Sequence, residues 1–73
     1  MIQEVMLMNF IYNKTKHIII PIKEPIKISF DGKHVVCGTT IVCECGNMDV
    51  AVSKIKYIAM VLENSKIVEV YDE

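Results

Sequence analysis

The chain contains no arginine and no tryptophan, and only two leucines and two alanines in 73 residues. Each shortage excludes something. Arginine supplies the bidentate fork for phosphate and guanine and the flat cation that stacks on bases. With lysine as its sole strong base, and eight lysines against nine carboxylates, the chain lacks the electrostatic footprint of a nucleic-acid binder. Lysines can still line one face after folding, but nucleic acid is not the expected partner. No stretch approaches the roughly 20 apolar residues of a membrane span, so no membrane partner is expected. Met1-Ile2-Gln3-Glu4 has no basic n-region of the kind that opens a signal peptide. Three cysteines, an odd number without secretory context, read as reduced thiols and point to the cytoplasm.

What replaces leucine and alanine is isoleucine and valine, 21 positions in all. β-Branched side chains are stiff at χ1 and suit a pleated surface better than a helix. The expectation is a single domain over 1–73, mainly β. At this length a domain buries only about 60% of its unfolded surface. Yet 52% of the residues are hydrophobic and the mean hydropathy is +0.36. That excess is hard to hide in a monomer and favours a homo-oligomer, the commonest soluble assembly. The richness in Ile, Lys and Asn also suits an AT-rich genome, such as a low-GC bacterium or its phage.

Phe30-Asp31-Gly32-Lys33 is the sharpest local signal. Asp-Gly between β-rich flanks predicts a two-residue type I′ hairpin turn. Its register pairs Phe30 with Lys33, Ser29 with His34, Ile28 with Val35 and Ile26 with Cys37. Ile26, Ile28, Phe30, Val35 and Cys37 then form a core face, with Lys27, Ser29, His34 and Val36 on the wet side.

A second hairpin is predicted from Tyr57 to Tyr71, turning at Asn64-Ser65. It sets Glu63 against Lys66, Val61 against Val68, Ala59 against Val70 and Leu62 against Ile67. A helix competes for the same segment: Ile55, Ile58, Ala59 and Leu62 match the i, i+3, i+4, i+7 template, with Ser53 as N-cap. In the N-terminal third, an apolar run to Tyr12, a polar Asn13–Lys16 turn and an apolar His17–Ile22 run read as a further hairpin. Pro21 and Pro25 mark an edge or the end of pairing. Gly38 suggests a bulge or sharp bend, and Gly46-Asn47 a turn into Met48–Val52.

These signals predict a small barrel or half-open roll of about six short antiparallel strands, in the size range of SH3 and Sm-like domains, with a short helix near 53–64 as the open alternative. Gly32, Gly38 and Met48-Asp49, within Pro25–Val52, give a stretch that resembles the rhythm of Sm-like RNA-binding barrels. The family's second motif, with the arginine and glycine that would carry RNA contacts, has no counterpart here.

Cys37, Cys43 and Cys45 share strand parity, so a zinc site must be weighed. Tetrahedral sites usually draw on C-x₂₋₄-C knuckles plus a second ligand pair, and a fourth ligand is missing. Buried structural thiols are the expectation, with no cofactor. A Cys–His nucleophile is disfavoured because the register puts His34 and Cys37 on opposite faces. Lys27, Ser29 and His34 converge on one hairpin face as a candidate anionic-ligand patch, against the plainer reading of a solvated face. Glu44 and Asp49 read as surface charges. Met6, Met8 and Met60 suit either core packing or an adaptable surface.

The functional expectation is a non-enzymatic, homo-oligomeric binding protein that docks on another protein as an inhibitor or adaptor, a type often encoded by phage and mobile elements. Ile18, Ile20, Ile58, Met60, Leu62, Ile67 and Tyr71 are its candidate interface. The alternative is an oligomeric ring that binds a small ligand or nucleic acid between subunits.

Overall fold

The computed structural model of the chain describes residues 9–73. Met6, Met8 and the start of the first apolar run lie outside the described residues. Six strands and one helix follow in the order β1 (Phe10–Asn13), β2 (Ile18–Pro21), β3 (Ile26–Ile28), β4 (His34–Cys37), β5 (Thr40–Glu44), α1 (Met48–Leu62) and β6 (Ile67–Val70). They form two three-stranded sheets: β2-β1-β6, here sheet A, and β3-β4-β5, here sheet B. The sheets do not close into a barrel, which corrects the expected barrel and the Sm-like rhythm with it.

The fold is mainly β, as the β-branched excess predicts. The N-terminal hairpin forms, with Phe10 opposite Pro21 and Asn13 opposite Ile18. Its turn lies one residue later than predicted, because Asn13 belongs to β1 and is fully buried. Pro21 ends β2, an edge strand, where a missing N–H is tolerated.

Sheet B keeps the predicted register, with Ile26 opposite Cys37 and Ile28 opposite Val35. The turn itself differs. Gly32 N–H donates to Ser29 C=O at 3.0 Å, and Ser29 N–H donates to His34 C=O at 2.9 Å. The loop is therefore Phe30 to Lys33, and Asp31 does not adopt the positive φ that a type I′ turn needs. A four-residue loop closed by Ser29 and His34 leaves the strands in the same register as a two-residue loop closed by Phe30 and Lys33. Phe30, expected in the core, instead sits at the loop tip, 108% exposed.

Gly38 makes the predicted sharp bend, at φ +63°, as the first of two loop residues joining β4 to β5. The bulge falls elsewhere, on β5. Val35 pairs with Cys43 and Val36 with Ile41, so Val42 is the extra residue. Val42 and Cys43 are consequently both buried, where strict alternation would send one outward.

The Tyr57–Tyr71 hairpin does not form. Its first arm belongs to α1, which is longer than the short helix weighed against it and starts earlier. Asn47 is the N-cap, its Oδ1 accepting from Val50 N–H at 3.0 Å, and Ser53 lies inside the helix. Ala51, Ile55, Ile58 and Leu62 form the stripe that meets the core. Burial of that stripe outweighs the modest helix propensity of Val and Ile. β6 then pairs with β1 in parallel, not with its neighbour in sequence. The inner faces of both sheets and the α1 stripe share one core, including Ile11, Ile20, Val68 and Val70 from sheet A and Val35, Val42 and Cys43 from sheet B.

A polar node ties the two sheets together. Asn13 Nδ2 donates to Val42 C=O at 2.8 Å and to Asp72 Oδ1 at 2.9 Å, while its Oδ1 accepts from Lys16 N–H at 2.9 Å. The bulge takes Val42 out of regular pairing, and Asn13 supplies its carbonyl with a partner. Asp72 also accepts from Glu44 N–H at 3.0 Å, and Glu73 N–H donates to Glu44 C=O at 2.8 Å. The residues after β6 thus strap sheet A to the edge of sheet B.

Candidate docking surface and strand-edge cleft

In sheet A, Ile11, Asn13, Ile20, Val68 and Val70 point inward and are buried. Alternation sends Phe10 and Tyr12 of β1, Ile19 and Pro21 of β2, and Ile67 and Glu69 of β6 to the other side. The register sets Phe10 between Pro21 and Ile67, and Tyr12 between Ile19 and Glu69. This outer face is apolar: Ile19 is 65% exposed and Ile67 54%. A depression of about 390 Å³ on it is lined by Phe10, Tyr12, Ile19, Ile67 and Glu69. At its rim the Lys14 ammonium lies 3.5 Å from the Glu69 carboxylate and 5.6 Å from the centre of the Tyr71 ring.

Of the seven residues expected at an interface, Ile67 and Tyr71 are exposed along β6 and just beyond it. Ile20 and Ile58 are core residues and unavailable to a partner. Leu62 is half-buried against that core, and Met60 is exposed on α1. Ile18 has the inward parity of Ile20 but lies partly exposed. The β2 residue that faces out is Ile19, together with Phe10 and Tyr12 from β1. An unbroken Ile18-Ile19-Ile20 run carries no alternation, and the N-terminal period is ambiguous. The only sequence signal was the Asn13–Lys16 turn, which aligns the two strands to within one residue.

The second feature is a cleft of about 520 Å³ between α1 and β6, with Val50, Lys54 and Tyr57 on the helix side and Glu69, Val70 and Tyr71 on the strand side. Lys54 Nζ donates to Tyr71 C=O at 3.0 Å and pairs with Glu73 at 3.0 Å. Glu69 lines both the cleft and the outer depression.

The hairpin patch is used up locally. Ser29 Oγ donates to the Asp31 carboxylate at 2.5 Å and accepts from His34 N–H at 3.2 Å. Asp31 also accepts from Lys33 N–H at 2.9 Å, and His34 Nδ1 lies 3.5 Å from it. The Ser29 hydroxyl and then the Lys33 N–H bring the Asp31 pKa down to about 2. Lys27 is exposed. Ser29 and His34 therefore hold the turn, and the patch does not present three converging side chains.

The cysteines are buried, as expected of structural thiols, but their shared sequence parity is not the reason: Cys43 turns inward through the Val42 bulge, and Cys45 lies just beyond β5. Cys43 and Cys45 Sγ atoms are 3.9 Å apart, whereas Cys37 Sγ donates to Glu24 C=O at 3.3 Å. Burial, then the neighbouring Cys45, pushes the Cys43 thiol up to about 12, so it stays protonated at neutral pH. Among the described residues no three His, Cys, Asp or Glu side chains gather as metal ligands would. Burial works against the Asp72 carboxylate. The Glu44 N–H, the Asn13 amide and Lys16 outweigh it and hold its pKa below the ordinary value. Among the described residues no helix is long and apolar enough to cross a membrane. Compared with protein-family models, curated proteins and solved structures, the chain matches none.

Proposed function

We propose that this protein works by binding, as a homo-oligomer that docks on another protein as an inhibitor or adaptor. One observation carries the reading: the outer face of sheet A sets Phe10, Tyr12, Ile19, Pro21 and Ile67 side by side, with Ile19 and Ile67 exposed. Contiguous exposed apolar patches on small proteins mark interaction sites. A second copy suits the face because its rim holds one ammonium and one carboxylate, Lys14 and Glu69. A two-fold axis brings opposite charges together across such a rim. Two sheets stacked face to face at about 10 Å would then bury both apolar surfaces.

Sedimentation velocity across a concentration series tests this. Wild type is expected to associate, and the double variant Ile19→Lys/Ile67→Lys to sediment as a monomer. Both sites face solvent in the single chain, so the variant should stay folded and lose only the concentration-dependent part of the wild-type melting temperature. A wild-type protein that stays monomeric at high concentration would remove the homo-oligomer.

A further inference from the structure

The free edge of β6 presents an unfilled strand position. Phe10 N–H donates to Lys66 C=O at 2.8 Å, and Lys14 N–H donates to Val70 C=O at 2.9 Å. With Ile67 opposite Phe10 in a parallel register, the residues of β6 that bond to β1 are the even-numbered ones. Backbone groups of successive strand residues point to opposite edges, so those of Ile67, Glu69 and Tyr71 point away from β1. Two of the three are occupied. The Ser65 hydroxyl accepts from Ile67 N–H at 3.3 Å and donates to Ile67 C=O at 2.9 Å. Tyr71 C=O accepts from Lys54. Among the described residues the N–H and C=O of Glu69 have no partner.

We propose that an extended, basic segment of a partner protein adds here as a fourth strand of sheet A, between β6 and α1. The inference rests on the reading of the protein as one that docks on another protein, and it names the mode of docking. β-Augmentation of this kind draws affinity from main-chain bonds and specificity from alternate side chains. The residue opposite Glu69 exchanges both backbone bonds with it and directs its side chain to the Glu69 side of the sheet, where a Lys or Arg is favoured. Its two neighbours point the other way, over Val50 and Tyr57, and are apolar. Charge selects this occupant: Asp49, Glu69 and Glu73 line the cleft against Lys54, and with Lys14 bridged to Glu69 and Lys54 held by Glu73 the carboxylates still outnumber the ammonium groups three to two. A second copy is disfavoured at this edge, since a two-fold pairing centred on Glu69 would set like charges opposite each other.

The test uses the whole chain, isotope-labelled, titrated with a capped heptapeptide of alternating valine and lysine. Expected are shifts concentrated at Lys54, Tyr57, Glu69 and Tyr71, with slowed exchange of the Glu69 N–H. Glu69→Pro removes a donor that the β1 ladder does not use, so the sheet should survive, as its melting curve will show. Peptide affinity of this variant should fall about five- to tenfold, and Glu69→Lys should weaken binding further. Absence of shifts at millimolar peptide, equal affinity for Glu69→Pro, or equal binding of a valine–glutamate peptide would each overturn the proposal. Shifts at Phe10, Tyr12 and Ile19 instead would reject the strand slot while leaving docking on the outer face intact.

Discussion

The two sheets were built by different rules. Sheet B is a meander whose strands follow one another through tight turns, with Val35 and Cys37 buried and Lys27 exposed. Sheet A places β6 beside β1 in parallel across more than fifty residues, and both of its faces are apolar. Alternation specifies register where one face is wet, because a one-residue slip would turn the whole apolar set to solvent. Where both faces are apolar that penalty is weak, and pairing depends on contacts distant in sequence. The outer face of sheet A therefore leaves Ile19 and Ile67 in solvent.

The largest expected effect asks whether the sheets are one cooperative unit. Ile11→Ala removes a fully buried side chain from the central strand of sheet A and should cost about 3–4 kcal/mol. Small domains have only about 5–15 kcal/mol in total. Because both sheets share one core, urea unfolding should remain a single transition at a lower midpoint; a two-step curve would separate them.

Next is the polar node between the sheets. Asn13→Ala leaves Val42 C=O and Lys16 N–H without their partners and should cost about 2–3 kcal/mol, read as a lower urea midpoint at unchanged slope.

Acid weakens the same node. The folded Asp72 carboxyl lies below its ordinary value of 3.8, so its stabilisation is complete above that pH and is lost as pH falls through the folded value. Melting temperatures measured downward from pH 5 should drop more steeply for wild type than for Asp72→Asn.

The smallest effect tests the sheet B loop. Phe30→Ser should change stability by no more than about 0.5 kcal/mol, since the ring is fully exposed. A larger loss would restore Phe30 to a core face.

Legibility followed the same division. The β3–β4 register could be read from Asp31-Gly32 with its flanking alternation, and it survived a different turn because either loop leaves Ile28 opposite Val35. The α1 stripe at Ile55, Ile58 and Leu62 was visible as one of two readings. Asn47 and Ala51, which decide for the helix, lay outside the segment weighed as helix. The apolar excess pointed to the flanks of the middle hairpin. Within the Ile18-Ile19-Ile20 run of those flanks, Ile20 belongs to the core and Ile19 to the surface, which a run without alternation does not reveal.

Composition and local turns by themselves determined a mainly β chain, the N-terminal hairpin and the middle hairpin register. These depend on side-chain stiffness, period-two geometry and loops of a few residues, all of which act over short distances. Tertiary structure alone decided the parallel β1–β6 pairing, the full extent of α1, the Val42 bulge with its Asn13 partner, and which isoleucines face solvent. Each of these depends on a surface or hydrogen-bonding group contributed by a distant part of the chain, so no local pattern could announce it.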